Sequence, residues 1–244
     1  MPRMRRRKTK YEPARRSRRA PREGLAEDAI YDRLLAAIFE HRLPPGTKLG
    51  EDRLAAIYGV SRARIRRVLP RLAHEGVVTL EPNRGAFVAK PTVAEAHAVL
   101  ETRRVLEPGV VERFVQQPDR KALVARLRQH VAAERRARAA SDTRSIVRLS
   151  GEFHILLADM AGNLLMAKIM RELCSLTCLI IALYDKPSVP SCLGEEHAEI
   201  VEALAAGDGG RATQLMVQHL EHVEENLDLT VVESGPVDLE SALD

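Results

Sequence analysis

The sequence predicts a mainly α protein in two parts: an N-terminal unit of three helices with a β-hairpin, then an antiparallel, all-helical bundle. Three observations predict it. Apolar residues recur at helical spacing over most of the chain. One interval, around 77–89, instead carries two β-rich runs flanking a turn that contains Pro, Asn and Gly. Between them and the next helical pattern, Lys90-Pro91-Thr92 ends a strand and offers a helix cap, which marks a boundary.

Composition narrows the class. A chain of 244 residues can bury two small cores. Trp is absent and aromatics are 3%, while Ala, Leu, Val and Arg abound, which favours helices. No apolar run reaches the length of a membrane span, and no apolar core follows the charged N-terminus as a signal peptide would require. No membrane partner is expected, and a cytoplasmic location is. Three cysteines without a CxxC spacing, Cys174 and Cys178 among them in an apolar segment, read as reduced core residues.

The charge is unevenly spread. Residues 1–22 hold 11 Arg and Lys against one acid, Glu12, leaving 27 basic and 33 acidic residues in the remainder. This composition predicts a disordered basic arm, read either as an aid to non-specific phosphate binding or as a solubility tail.

Residues 23–90 form the first folded unit. A helix is expected within 23–42, where Ile30, Leu34, Ile38 and Phe39 share a face, and Leu43-Pro44-Pro45-Gly46 breaks it. A second follows over 49–58, closed by Gly59, which tolerates positive φ. Ser61 is a suitable N-cap for a third, over about 62–75, with Ile65, Val68, Leu69 and Leu72 on its buried face. Two short helices joined by a Gly-containing turn make a helix-turn-helix, whose second helix enters the major groove of duplex DNA. That helix carries Arg62, Arg64, Arg66, Arg67 and Arg71 and no acid before Glu75. Arginine forks suit guanine edges and phosphates. The hairpin of 77–80 and 86–89, with Arg84 and Gly85 at its tip, reads as a wing. Expected DNA-binding residues are Arg53, Ser61, Arg62, Arg64, Arg66, Arg67, Arg84 and Gly85.

Residues 91–231 predict six helices, near 93–116, 119–140, 142–161, 163–185, 193–206 and 209–231, and 232–244 an acidic, flexible tail. His130 and His222 are expected at the surface.

Residues 38–88 resemble the DNA-binding domain of the GntR family of bacterial transcriptional regulators. The matching words are Leu43-Pro44-Pro45-Gly46-Thr47-Lys48-Leu49, Glu51-x-x-Leu54-Ala55, Val60-Ser61-Arg62, Glu75-Gly76-Val77-Val78 and Arg84-Gly85-x-Phe87-Val88. Arg64 stands where the family has proline, Arg67 where it has glutamate, and Asp52 where many members have a DNA-contacting arginine. Residues 95–225 are similar to the helical ligand-binding FCD domain of the FadR-like branch, through Arg103-x-x-Leu106-Glu107, Glu152-Phe153-His154, Ala161-Gly162-Asn163, Glu196-His197 and Gly207-Asp208.

The resemblance implies a ligand-responsive regulator, in this family most often a repressor. It further implies a homodimer on a two-fold symmetric double-stranded operator, with a small effector, commonly an organic acid, inside the bundle. Effector-binding residues by this carry-over are Arg103, Ser150, His154, Asn163, His197 and His219. A divalent metal, zinc or nickel, is implied at His154, His197 and His219, but Ser150 replaces the family's usual Asp or Asn ligand. The residues alone leave these readings open: the histidines hold metal, hydrogen-bond within a polar cavity or contact an effector directly, and Arg103 either binds an effector carboxylate or pairs with Glu107 one turn on. An enzyme using the histidines is an alternative, against which no HExxH word or nucleophile elbow appears. An effector-independent architectural DNA binder is another, for which a polar cavity has no use.

Overall fold

A computed structural model describes residues 25–186, 195–229 and 243. The basic arm over 1–22 lies outside the described residues, as does the acidic tail over 232–244 except for residue 243. The described residues form nine helices and one three-stranded sheet. None of these helices is long and apolar enough to cross a membrane.

The N-terminal unit begins with α1 (Glu27–Phe39), which buries Ile30, Leu34, Ala37, Ile38 and Phe39. The chain then turns through His41 at φ 56 and Gly46 at φ 85. A two-residue strand follows, β1 (Lys48–Leu49), which the sequence analysis did not anticipate. It is too short to show alternation, and only its pairing with the hairpin defines it. Then come α2 (Glu51–Tyr58), α3 (Arg62–His74), β2 (Val78–Glu81) and β3 (Gly85–Val88). The sheet is antiparallel in the order β1-β3-β2, with Lys48 opposite Phe87 and Thr79 on that residue's other side.

Local chemistry fixes the helix-turn-helix. Gly59 takes the left-handed conformation that ends α2, at φ 65. The Ser61 hydroxyl accepts from the Arg64 amide and starts α3. Ile65, Val68, Leu69 and Leu72 form the buried stripe of α3, against α1 and α2. Pro70 lies within α3 on its exposed side and forfeits one amide hydrogen bond of the helix.

The bundle comprises α4 (Val93–Val115), α5 (Arg120–Ala139), α6 (Thr143–Met160), α7 (Leu164–Tyr184), α8 (Glu196–Ala206) and α9 (Gly209–Glu225). Thr92 and Glu95 close a complete capping box on α4. Asp142, Asn163 and Asp208 cap α6, α7 and α9 through their side chains. Helix α4 packs on α6, α7 and α9, while α5 lies against α6 and α8. The last helix ends at Glu225 rather than the expected 231, after which the chain pairs Asp185 with Leu227 in an isolated bridge.

The two units touch directly. His41 Nε2 lies 3.2 Å from the Cys178 carbonyl of α7, and Arg148 of α6 pairs with Glu40 at 3.3 Å. Gly76 rests on Leu176: a Cβ there would come within 3.4 Å of that side chain.

Candidate functional site

Two sites emerge, one exposed and one buried. On the exposed one, the arginines of α3 fan into two stripes. Arg62 and Arg66, one turn apart, lean on acids of α2: Arg62 on Asp52 at 2.9 Å, Arg66 on Glu51 at 2.7 Å. Arg67 and Arg71 turn to α1, where they meet Glu27 at 2.6 Å and Asp28 at 2.8 Å, with Arg71 also 4.6 Å above the Tyr31 ring. Arg64 donates to the Leu25 carbonyl at 2.9 Å and is only half-exposed. At the wing tip Arg84 pairs with Glu81 and lies over Phe87. Gly85 beside it has φ 102, and nothing lies within 4 Å of where a Cβ would be. Arg53 and Ser61 are exposed on the same unit. Such exposed ion pairs are screened by solvent and contribute little to stability, so exchanging the acid for a phosphate costs little.

The buried site lies in the middle of the bundle. His154 of α6, His197 of α8 and His219 of α9 are each 2–3% exposed and turn their Nε2 atoms on one point. His219 Nε2 is 3.2 Å from that of His154 and 3.3 Å from that of His197. Each ring donates its other nitrogen to a carboxylate. His154 Nδ1 donates to Glu107 of α4 at 2.7 Å, His197 Nδ1 to Glu134 of α5 at 2.9 Å, and His219 Nδ1 to Glu196 of α8 at 2.6 Å. With Nδ1 carrying the proton, all three Nε2 atoms present lone pairs to one another. Phe153 stacks on His197 with centroids 4.0 Å apart and holds that ring in place.

The carboxylates are themselves anchored. Arg103 Nε donates to Glu107 at 2.6 Å, and its Nη1 to Thr177 at 3.1 Å. Glu134 has Arg138 at 3.4 Å and His130 at 3.5 Å, and Glu196 takes a second imidazole, His222, at 2.5 Å. Burial alone would raise the Glu107 carboxyl, but Arg103 and the His154 ring outweigh it and hold it at about 2. Glu134 is likewise brought to about 2, its burial overcome by His197 and His130. Burial pushes His154 down to about 3 and His219 down to about 4. His154 and His219 are therefore neutral beside anionic Glu107 and Glu134, a state in which their Nε2 lone pairs stay free.

A small cavity adjoins the rings, lined by Arg103, Ser150, His154, Cys174, Thr177 and Cys178 among others. Its free volume is about 10 Å³, on the order of one water. The Arg103 Nη2 is buried there without a partner. The thiols are not part of the nitrogen group, and burial pushes Cys174 up to about 12, which keeps it protonated.

Residues 26–88 match the bacterial regulatory proteins of the gntR family, and residues 98–222, half of the chain, match the FCD domain. The chain belongs to the GntR family, with an FCD domain as its second unit. This GntR regulator is 30% identical to the HTH-type transcriptional regulator LutR of Bacillus subtilis, over 76% of this chain and 93% of LutR. It is 27% identical to the HTH-type transcriptional repressor RspR of Escherichia coli, over 81% of this chain and 87% of RspR. A solved GntR regulator from Rhodococcus sp. RHA1 superposes with a TM-score of 0.69 at 27% identity, covering 82% of this chain and 95% of that one. The protein is a ligand-responsive, DNA-binding transcriptional regulator and not an enzyme.

Within this GntR regulator the structure brings His154, His197 and His219 together, and sets Arg103 and Ser150 with His154 and His219 around one small space. Asn163 does not join them. Its side chain accepts from the Leu165 and Met166 amides as the N-cap of α7, which corrects its expected role at the effector. His130 is not a surface residue either: its Nε2 donates to the Leu149 carbonyl at 2.8 Å, and α6 half-buries it. His222 is exposed as expected, yet it is tied to the site through Glu196. Sequence reasoning missed Glu134 and Glu196 as supports of the histidines, and took Glu107 only as a partner for Arg103. The available signal was a glutamate unopposed on an apolar helix face, which Glu134 and Glu107 both are.

Proposed function

We propose that this regulator binds a two-fold symmetric operator as a homodimer, holds one divalent metal ion on His154, His197 and His219, and responds to a small carboxylate-bearing effector beside that ion. The observation that carries the metal reading is the convergence of three Nε2 atoms, each on a ring whose Nδ1 is held by a carboxylate. The His219 lone pair, 3.2 Å from that of His154 and 3.3 Å from that of His197, is repelled by both unless a cation lies between them. Nitrogens bound at 2.0–2.1 Å to one tetrahedral ion lie about 3.3 Å apart, which the two separations from His219 match, so zinc suits the site. Histidine ligands backed by carboxylates are the usual outer support of such centres. Ser150 supplies no anionic ligand, and a bound ion would offer its remaining positions to the effector's carboxylate as a Lewis acid. Arg103 supports the carboxylate reading through its one unpaired, buried Nη2.

Helix α7 is the natural route to the DNA-reading unit. Its Thr177 and Cys178 line the cavity, while its Cys178 carbonyl and Leu176 side chain hold His41 and Gly76 of the first unit. Because the cavity has room for about one water, an effector must displace that wall to enter. The displacement supports a change in the spacing of the two DNA-reading units in a dimer. For the dimer contact, α4 and α7 offer exposed apolar side chains, Val105, Leu164, Leu165 and Ile169, at 37–90% of their surface. RspR is named a repressor, and repression is the sign proposed here.

Elemental analysis of the purified chain tests the metal reading. One equivalent per chain, lost in His197→Ala, is the expected result; undiminished metal in that variant overturns the three-histidine assignment.

A further inference from the structure

Free space in this protein is not where the histidines are. A groove of about 580 Å³ opens between α1 and the α6/α7 pair, against about 10 Å³ beside the rings. It falls within the size range of small-molecule sites, and domain boundaries are where such sites concentrate. Leu35 and Phe39 of α1 face Ile155 and Leu156 of α6 across it and make an apolar wall.

The charges at its rim do not balance. Asp32, Glu40, Glu152 and Asp159 stand against Arg148 and Arg171 on the wall and Arg42 behind it, which pairs with Glu40 at 2.9 Å. Both guanidiniums on the wall are committed: Arg148 to Glu40 at 3.3 Å and Glu152 at 2.9 Å, Arg171 to Asp159 at 3.1 Å. His130, also on the wall, spends its Nε2 on the Leu149 carbonyl. Asp32 is exposed and makes no ion pair among the described residues. Deeper in, Ser175 is fully buried and its hydroxyl has no partner, a costly state for a polar group unless something else supplies the hydrogen bond. An apolar wall, one exposed carboxylate left over at Asp32 and a spare buried hydroxyl together describe a site for a cation with a hydrocarbon body.

We propose that this interdomain groove is a second small-molecule site, separate from the histidine centre, and that it takes an amphipathic amine. The ammonium meets Asp32, the apolar body lies along Leu35, Phe39 and Ile155, and Ser175 offers a hydrogen bond at the floor. An amine held there touches α1 of the DNA-reading unit and α6 and α7 of the control unit at once. It therefore bears on their relative placement without entering the bundle.

Titration calorimetry of the full chain with three probes of equal length, hexylammonium, hexanoate and hexanol, tests this. Hexylammonium is expected to bind once per chain with a constant on the order of millimolar, given its few heavy atoms. Hexanoate should be weaker by about tenfold or more. Asp32→Asn should bring hexylammonium to the level of hexanol, and Ala36→Trp, which fills the groove from α1, should abolish binding with an unchanged circular dichroism spectrum. The hexylammonium constant should be the same after chelator treatment, which separates this site from the metal reading. Equal binding of hexanoate, or hexylammonium binding unmoved by both substitutions, overturns the proposal.

Discussion

The two units of this regulator handle charge in opposite ways. On the DNA-reading unit, Arg62, Arg66, Arg67 and Arg71 form pairs that are 44–60% exposed on the arginine side. In the bundle, Arg103 and Glu107 form a pair that is 1–3% exposed, and both are tied onward to other side chains. Exposed pairs are weak and exchangeable, as suits a surface that must trade carboxylates for phosphates. Buried pairs cost desolvation and are held by further hydrogen bonds to both members, as suits a centre that must hold three rings in one tautomer. The same residue types thus do unlike things because of burial alone.

The largest expected effect comes from breaking the buried side of that contrast. Glu107→Ala leaves Arg103 buried and unpaired, and a loss of about 3–5 kcal/mol of stability is expected in chemical denaturation. A loss below about 1 kcal/mol would place the pair with the surface ones. Glu134→Gln keeps the shape but weakens the hold on His197, and zinc affinity in a chelator competition should fall about 10–100-fold. Helix α6 meets α7 so closely at Gly151 that an added Cβ would lie 2.9 Å from the Cys178 sulfur. Gly151→Ala is therefore expected to cost about 1–3 kcal/mol of stability.

On the exposed side, Arg62→Ala or Arg66→Ala should cost about 1–3 kcal/mol of operator affinity with little change in stability. The acids they lean on should act in the reverse sense. Asp52→Asn removes a competing carboxylate, and non-specific DNA affinity at low salt should rise modestly and converge with the parent at high salt. An unchanged salt dependence would separate Asp52 from the DNA-facing surface.

Acid should also distinguish the units. His154 and His219 are held neutral in the fold, at about 3 and 4 against 6.5 for a free ring. As pH falls below 6.5 the unfolded chain takes up protons that the native one refuses, so stability declines, by up to about 1.4 kcal/mol per pH unit for each ring. Glu107 and Glu134, held near 2 against 4.5, extend the decline in the same direction below pH 4.5. Unfolding followed by probes on each unit should show the bundle losing stability from pH 6.5 downward.

Legibility in the sequence followed the same divide. The helix-turn-helix and wing could be read directly because their signals are local: Gly59 at a left-handed turn, Ser61 at a cap, Pro and Gly around the hairpin. The bundle helices were legible within a few residues for the same reason, through Thr92, Asp142, Asn163 and Asp208 at their starts. What could not be read was pairing across helices. Glu134 and His197 are 63 residues apart, and Glu107 and His154 are 47 apart, so no window connects them. Asn163 misled because a capping asparagine and a cavity asparagine look alike in one dimension. β1 was missed because two residues carry no periodicity.

The central claim is that three carboxylates fix three imidazoles with their Nε2 lone pairs facing one point. Long-range proton–nitrogen correlation on histidine-labelled protein reads those tautomers directly. The account predicts that His154, His197 and His219 appear as neutral Nδ1–H rings in metal-stripped protein near neutral pH, and that zinc shifts all three Nε2 resonances together. Nε2–H tautomers at any two of the three, with no response to zinc, would contradict it.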